Sequence, residues 1–466
     1  MSLAIVWLRR DLRLADNPAL HAACAAHERV LPVYIHAPQE EGDWAPGAAS
    51  RWWLHHSLEA LRSSLHAHHA ELHLRAGDSL AELNKLIKAT GAEAVYWNRL
   101  YEPAAIARDK HIKQALREQG VEAHSFNAAL WREPWQVETK TGDPYRVFTP
   151  FWRNLRTLID EAEPLPVPEP LRGATAKGGV SLESLELLPR IAWDAGMAKV
   201  WTPGERGAQE LLELFADDAV NDYAEGRDIP SRHGTSRLSP HLHFGEISPR
   251  QAQAGLHALL ARRGGKRPDV EPFLRELGWR EFAHHLMFHF PETHTANFNP
   301  KFDGFPWAKA DDTLIERWQR GRTGIPLVDA GMRELWHTGW MRHARAVAHR
   351  LDAQPRAHGG GQLSHQEPAP ALAPRRALVL GHAGGCRSAQ QLAGLAVGGR
   401  LRRRRRAVLP RVQSGQSVAE VRRQGRVSGA LDSRTGQRRA SPAARAVEGS
   451  VAAAQIRLSG ADGGSG

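Results

Sequence analysis

Cysteine is scarce in this chain, and long apolar runs are absent from it. The 466 residues include two cysteines, Cys24 and Cys386, which excludes a disulfide framework and a cysteine metal site. No stretch approaches the roughly 20 apolar residues that a membrane span needs. The first apolar run precedes the arginines, the reverse of a secretory signal. We therefore expect a cytoplasmic monomer with no bound metal and no membrane partner.

The chain also lacks Gly-x-Gly-x-x-Gly after its first apolar run, which excludes the nicotinamide-type fingerprint there. Short apolar segments instead alternate with helical ones such as 51–68 and 104–118, and Asn17-Pro18 has the form of a helix N-cap and first position. Such alternation predicts an α/β domain with a doubly wound parallel sheet. The candidate strands are 4–8, 30–35, 71–75, 94–97 and 121–126.

Hydroxyl side chains cluster in Gly234-Thr-Ser-Arg-Leu-Ser-Pro-His-Leu-His-Phe-Gly-Glu-Ile-Ser248. Thr235, Ser236 and Ser239 stand beside Pro240, where a helix can begin with free backbone N–H groups. This combination is typical of a cradle for a phosphate-bearing ligand. We expect an anionic cofactor.

A second informative segment, Glu276-Leu-Gly-Trp-Arg-Glu-Phe282, follows about thirty residues later. Its spacing predicts a helix with Phe273, Leu277 and Phe282 on the buried side. Glu276, Trp279, Arg280 and Ala283 then share another face, since positions three and four apart are neighbours. An aromatic face can stack on a nucleobase, and an enzyme that acts on a base must take it out of the stack.

Together the two segments resemble the flavin domain of the DNA photolyase and cryptochrome family, in its class I-like cyclobutane dimer branch. Trp7-Leu-Arg-Arg-Asp-Leu-Arg13 and Gly47-Ala-Ala-Ser-Arg-Trp-Trp-Leu54 are similar to the same family. The resemblance covers residues 1–341. It implies a sheet domain over 1–130, a connector over 131–200 and an all-α FAD-binding domain over 201–341.

The resemblance also implies residue roles. FAD is bound by Tyr223, Thr235, Ser236, Arg237, Leu238 and Ser239. Glu276, Trp279 and Arg280 contact the lesion in ultraviolet-damaged DNA, with Glu276 and Trp279 in the catalytic set. Trp307 is the outermost tryptophan of an electron-transfer chain. The implied activity is that of a deoxyribodipyrimidine photolyase, a carbon–carbon lyase that repairs cyclobutane pyrimidine dimers with light and reduced FAD. The alternative is a cryptochrome-type blue-light receptor without repair activity.

The family often carries a second, light-harvesting chromophore. Folate-binding members have an Asn-Glu pair after the stretch matching Tyr101-Glu102, where this chain has Ala104-Ala105. An antenna folate held by that pair is not expected. A deazaflavin, a folate bound in another way and the absence of an antenna all remain open.

The last 125 residues differ in composition from the rest. Residues 342–466 contain no Phe, Trp, Tyr, Lys, Asn or Met, so all 15 Trp, 12 Phe and 5 Tyr precede them. With 22 Arg and 6 acidic residues they carry a net charge of +16, which leaves −5 for residues 1–341 out of the total of +11. DNA binding by residues 1–341 must therefore depend on a local patch, such as Arg232, Arg237, Arg275 and Arg280.

Residues 342–466 have two interpretations. They are either a disordered Arg/Ala/Gly-rich extension, whose run Arg402–Arg406 is a nucleic-acid arm or targeting patch, or the product of out-of-frame translation. The sequence itself favours the second. Residues 331–341 can be written as codons that end in G or C. Each new codon is then built from the third base of one codon and the first two bases of the next, starting from the last base of Ala330. The translation of these new codons is identical to Arg342 to Asp352. A tandem duplication of about 34 bases, one more than eleven codons, accounts for it.

The same decoding restores family-like sequence further on. Residues 353–358 become Arg-Asn-Arg-Ala-Arg-Met, the continuation expected after Gly339-Trp-Met341. In the family, the asparagine near flavin N5, other groups around the flavin and two of three electron-transfer tryptophans lie beyond this point. The FAD domain is therefore expected to be truncated by an aberrant tail, and this chain to be inactive.

Overall fold

A five-stranded parallel sheet organises the first part of the chain. The computed structural model describes residues 2–159, 163–264, 267–304 and 312–341. The strands are β1 Leu3–Leu8, β2 Arg29–His36, β3 His73–Ala76, β4 Ala94–Asn98 and β5 Glu122–Phe126. Their order is β3-β2-β1-β4-β5, and every neighbouring pair is parallel. The doubly wound parallel sheet predicted from the alternation is confirmed.

Four helices connect the strands: α1 Pro18–Ala26, α2 Ala48–Ala67, α3 Ser79–Thr90 and α4 Pro103–Glu118. The Asn17 side chain accepts a hydrogen bond from the Leu20 N–H at 3.2 Å, and Pro18 occupies the first turn, as expected of this pair. The bounds of most elements differ from the expected ones by one to three residues. Helix α2 begins three residues earlier than expected, at Ala48. The residue before it, Gly47, has an extended backbone and is the N-cap.

The sheet is buried on both faces. Residues Ala4 to Leu8 of β1 are all at most 1% exposed, as expected of a central parallel strand covered by helices on both sides. Ile5 and Trp7 belong to the core on one face, and Val6 and Leu8 belong to the core on the other, which also contains Trp52 and Trp53 of α2. The alternation of side chains along β1 thus separates two cores.

The rest of the described chain consists of helices joined by loops. Its helices are α5 Phe148–Leu158, α6 Ala195–Val200, α7 Glu205–Asp217, α8 Tyr223–Gly226, α9 Ser239–Phe244, α10 Pro249–Arg263, α11 Glu271–His289, α12 Asp312–Gln319 and α13 Pro326–Thr338. Phe273, Leu277 and Phe282 of α11 are buried, as the spacing predicts. Helix α5, which falls inside the expected connector, packs on α11 with the rings of Phe151 and Phe282 5.0 Å apart. Within the described ranges no helix is long and apolar enough to cross a membrane.

The loop after β1 fastens the sheet to the helical part. The Arg13 guanidinium is buried and donates to the backbone oxygens of Gly245 at 2.8 Å, Ala128 at 2.8 Å and Asp16 at 2.6 Å. The Leu12 N–H donates to the Phe244 oxygen at 3.1 Å. The end of α9 is thereby held directly against the loop that follows the central strand.

Gly245 provides a test of this junction. It caps α9 with φ 68° and ψ 26°, and a Cβ placed there would lie 2.1 Å from the Arg10 oxygen. Gly91 caps α3 with nearly the same conformation, φ 71° and ψ 26°, but no atom of the described residues lies within 4 Å of its added Cβ. The two glycines differ in surroundings rather than in backbone.

We expect Gly91→Ala to lower the free energy of unfolding by about 1 kcal/mol, the cost of a left-handed alanine. Gly245→Ala should cost at least about 2 kcal/mol more, because the new methyl group overlaps rigid backbone. Urea unfolding followed by far-ultraviolet circular dichroism measures both. Equal losses in the two variants would show that the α9 end is not tightly packed against the loop.

Candidate functional site

Residues 234–239 form a concave turn that leads into α9. Arg237 has a positive φ of 57°, which is uncommon for a residue other than glycine, and Leu238 follows with φ −73° and ψ −6°. Successive residues of opposite handedness turn their backbone N–H groups into one concavity, which favours an anion. The strained conformation of Arg237 thus coincides with the predicted phosphate cradle.

The three hydroxyl groups of the cradle have different partners. Thr235 Oγ1 is buried and has no hydrogen-bond partner among the described residues. Ser236 Oγ accepts from the Leu238 N–H at 3.5 Å, and Ser239 Oγ accepts from Trp340 Nε1 at 3.3 Å. A buried hydroxyl without a partner is costly, so Thr235 is poised for a polar ligand. This observation fits the diphosphate of a bound dinucleotide.

The cradle forms one side of a cavity of about 230 Å³. Glu276, Leu277 and Arg280 of α11 lie on its wall together with Tyr223. The structure therefore brings the predicted cradle and part of the predicted face of α11 to one site. The remaining lining is contributed by Arg10, Arg99, Leu100, Tyr101, Glu102, Ala129, Leu242, His243, Phe273, His284 and Trp340.

Glu276 is held at the cavity by an ion pair. Its Oε1 lies 2.7 Å from Arg227 Nη1, and both side chains are partly exposed, Arg227 to 21% and Glu276 to 31%. Arg227 also stands over the ring of Tyr223, with its guanidinium carbon 5.5 Å from the ring centroid. The Glu276 carboxylate is therefore oriented before any ligand binds.

The other two residues predicted on this face have contacts of their own. Trp279 lies outside the cavity lining and stacks on Phe148 of α5, with ring centroids 3.6 Å apart and planes 10° apart. Arg280 lines the cavity, but its guanidinium donates to the backbone oxygens of Ala129 at 2.5 Å and Leu242 at 3.3 Å. Arg280 thus ties α11 to α9 and to the chain after β5.

Tryptophan rings pack against Arg237 of the cradle and against one another. The Arg237 guanidinium carbon lies 4.3 Å from the Trp201 ring centroid and 5.9 Å from that of Trp340. Trp53 of α2 packs on Trp201 at 5.2 Å and donates from Nε1 to Glu246 Oε1 at 3.0 Å. Through these rings the cradle is in contact with α2, a helix that covers the sheet.

Ionisable side chains from loops after two strands and from two helices form a wall of the cavity that the sequence did not predict. Arg10 Nη2 lies 2.7 Å from Glu102 Oε2. Burial by itself would raise the pKa of Glu102, but the Arg10 charge, with help from His284, lowers it to about 2. Burial, reinforced by Arg10, lowers the pKa of His243 to about 3, and burial, reinforced by Arg280, lowers the pKa of His284 to about 4. Both imidazoles are therefore neutral near pH 7.

Residues 4–170 match the family model described as DNA photolyase, and residues 273–349 match the one described as FAD binding domain of DNA photolyase. A deoxyribodipyrimidine photo-lyase of Agrobacterium fabrum is 45% identical over 344 residues, which are 73% of this chain and 70% of that protein. The chain belongs to the DNA photolyase and cryptochrome family. By family it is classed with the deoxyribodipyrimidine photo-lyases, and the family's cofactor is FAD.

Cryptochromes are relatives as well. Cryptochrome-2 of Arabidopsis thaliana is 40% identical over 354 residues, which cover 73% of this chain but 57% of that protein. Among solved structures, a bacterial class III photolyase from Agrobacterium tumefaciens has a TM-score of 0.76 at 39% identity, with 85% of this chain and 80% of that chain covered. The α/β sheet followed by helices is therefore the photolyase fold.

Several predicted site residues of this photolyase-family chain stay untested. Trp307 and residues 342–466 lie outside the described residues. Of the expected DNA-binding patch, Arg232 is paired with Asp222 at 2.9 Å, and Arg275 stands over Phe148. Tyr223 packs edge-on against Phe215 and Phe273, which places it at the cavity with its ring fixed. The roles of these residues remain predictions.

The wall of Arg10, Glu102, His243 and His284 went unnoticed in the sequence. Arg10 and Glu102 lie in stretches already compared with the family, yet nothing in the sequence pairs residues 92 positions apart. His243 had a visible signal, because it lies inside the hydroxyl-rich segment three residues after Pro240. Only the packing of α9 on the loop after β1 brings these side chains together.

The two imidazoles predict a pH dependence of stability. Their pKa values in the folded chain lie below the ordinary 6.5, so the unfolded chain takes up protons first as the pH falls. Stability should therefore fall between about pH 6.5 and about pH 4. We expect His243→Gln/His284→Gln to lose about 5 kcal/mol less over this interval than the parent chain does, since each imidazole contributes about 1.4 kcal/mol per pH unit.

Urea unfolding at the two pH values measures this difference. His66→Gln, which changes an exposed imidazole at the end of α2, is the control and should lose as much as the parent chain. The same pH dependence in the double variant and its parent would contradict the assignment of neutral imidazoles.

The unpartnered hydroxyl of Thr235 gives a second test. Thr235→Val keeps the shape and removes the hydroxyl, so stability without cofactor should stay unchanged or rise by about 1 kcal/mol. Ser239→Ala removes the acceptor of Trp340 Nε1 and should lower stability by about 1 kcal/mol. Thermal unfolding of the flavin-free proteins compares the two. A clear loss of stability in Thr235→Val would mean that this hydroxyl already has a structural partner.

Proposed function

We propose that the uninterrupted form of this protein is a deoxyribodipyrimidine photolyase that repairs cyclobutane pyrimidine dimers in ultraviolet-damaged DNA. The observation that carries the proposal is the shared cavity of the Thr235–Ser239 cradle and the Glu276 carboxylate. A cradle for a diphosphate next to an oriented carboxylate suits an enzyme that holds a dinucleotide cofactor beside a damaged base. The 39% identity to a class III photolyase favours that class over the class I-like branch.

FAD, when bound, would supply the electron for light-driven bond cleavage, and the protein would position it. Thr235, Ser236 and Ser239, with the N–H groups turned inward at Arg237 and Leu238, would hold the diphosphate. Tyr223 would form part of the neighbouring wall. Arg237, whose guanidinium lies over the Trp201 ring and near that of Trp340, would neutralise phosphate charge from a position that these rings already fix.

Glu276 would act on the lesion side. Its ion pair with Arg227 keeps the carboxylate at the cavity, where it can accept a hydrogen bond from a pyrimidine flipped out of the duplex. Trp279, with one face on Phe148, leaves only its other face for stacking on that base. Arg280 would contribute mainly by fixing α11 through its two carbonyl contacts.

Blue-light signalling is the second candidate, because cryptochrome-2 of Arabidopsis thaliana is 40% identical. Glu276 favours repair, since a carboxylate at the lesion helps ring opening and a light receptor does not need one. Binding of ultraviolet-damaged DNA, compared with undamaged DNA at one salt concentration, separates the two. A repair enzyme prefers the damaged strand, and equal binding would favour signalling.

We further propose that the 466-residue polypeptide itself is inactive. The match between shifted residues 331–341 and Arg342–Asp352 indicates a frame change, and neither family match extends beyond residue 349. The wall of the flavin site that the family builds after Gly339-Trp-Met341 is then lost. The cradle alone would leave the flavin ring in water.

Removal of the repeat of about 34 bases tests this proposal. The 466-residue protein should purify without stoichiometric FAD and should not repair dimers. The restored protein should bind FAD, gain thermal stability from it and repair dimers in light. Flavin absorbance and a dimer-repair assay measure these results. Full flavin occupancy and repair by the 466-residue chain would contradict the proposal.

Glu276→Gln in the restored chain is the control for the role of the carboxylate.

We propose a cytoplasmic monomer divided into a sheet domain over 1–130, a connector over 131–200 and a helical domain over 201–341. The antenna is left open between a deazaflavin, a folate bound without an Asn-Glu pair and none.

A further inference from the structure

Helix α2 brings together three side chains that can bind a metal ion. His55 and Glu59 are four residues apart, and His56 and Glu59 are three apart, so each imidazole is a neighbour of the same carboxylate on the helix surface. One ligand atom from each lies within 4.8 Å of the other two. Trp53, their neighbour in sequence, points instead toward the cradle, where it packs on Trp201 and His241. The cluster therefore lies outside the proposed flavin site.

His55 adds an observation that does not depend on the cluster. The residue is 9% exposed, and its Nδ1 is buried without a hydrogen-bond partner among the described residues. A buried ring nitrogen without a partner is unfavourable, because its interaction with water has been lost. A ligand at His55 that engages the imidazole or reorients it would remove that cost.

The geometry of His56 and Glu59 fits a small divalent ion. His56 Nδ1 lies 3.4 Å from Glu59 Oε2. Two ligand atoms that each lie about 2.1 Å from a tetrahedral ion are about 3.4 Å apart. The His56 ring is oriented by Trp52, with ring centroids 4.5 Å apart, whereas Glu59 is more than half exposed and can move to close the site.

From these contacts we propose that His55, His56 and Glu59 form a zinc site. Two imidazoles and one carboxylate are a common ligand set for Zn²⁺ with water in the remaining position. Nitrogen ligands favour zinc over Mg²⁺ or Ca²⁺, which prefer oxygen. The charged neighbours of His55 are Glu183, which favours a bound cation, and Arg62, which opposes it. The proposal is independent of the proposed function.

Metal binding by the untagged full-length protein tests the site. Zn²⁺ affinity is measured by competition with a chromophoric chelator, and Co²⁺ is added separately because its visible spectrum reports tetrahedral coordination. We expect the parent protein to bind one Zn²⁺ per chain. In Glu59→Gln and in His56→Ala this binding should be lost, or its affinity should fall about tenfold or more. Glu59→Gln changes an exposed side chain, so it should leave the fold intact even if a variant of His55 does not fold.

The chain contains 25 histidines, and background binding must be separated from the site. His66→Ala, which removes an exposed imidazole near the end of the same helix, is the matched control and should bind Zn²⁺ like the parent chain. Parent-like affinity in both Glu59→Gln and His56→Ala would overturn the proposal. A Co²⁺ spectrum without a tetrahedral band in the parent protein would also overturn it.

Discussion

The buried guanidinium of Arg13 is the contact on which the arrangement of the site depends. It donates to backbone oxygens at Gly245, Ala128 and Asp16, which belong to the end of α9, the segment after β5 and the loop after β1. Arginine suits this position because its rigid fork of donors can serve several carbonyl groups at once. Loss of the side chain would remove one hydrogen bond from each of these three oxygens, so the position of the end of α9 against the loop depends on this contact.

The acidic partner of the junction is Asp16. Ser248 Oγ donates to its Oδ2 at 2.5 Å, and Arg250 Nε lies 3.1 Å from the same oxygen. Both ends of the segment between α9 and α10 are therefore fixed to one loop of the sheet domain. A strained residue such as Arg237 can persist only where its surroundings hold it, and here the junction on one side and Trp201 and Trp340 on the other do so.

Helix α2 links three features of the molecule. Its inner side contributes Trp53, which donates to the fully buried Glu246 beside His241. Next to Trp53 in the same helix are His55, His56 and Glu59, whose ligand atoms lie close together. Trp52 and Trp53 contact each other with ring centroids 6.4 Å apart, so the two groups are separated by little more than two aromatic rings.

The sequence by itself determined the elements whose signals are local. Asn17-Pro18 predicts the start of α1, the apolar segments predict the five strands, and Thr235, Ser236 and Ser239 predict a phosphate cradle, because caps, strands and hydroxyl clusters depend on neighbouring residues. The repeat of the segment that encodes residues 331–341, translated in a shifted frame as residues 342–352, is likewise visible only in the sequence. The tertiary structure decided the rest. Helical spacing put Trp279 and Arg280 on one face with Glu276, but it could not show that Phe148 covers one side of Trp279 or that carbonyl groups at Ala129 and Leu242 engage Arg280. Those partners are distant in the sequence, and only the packing of α11 on α5 and α9 brings them within reach.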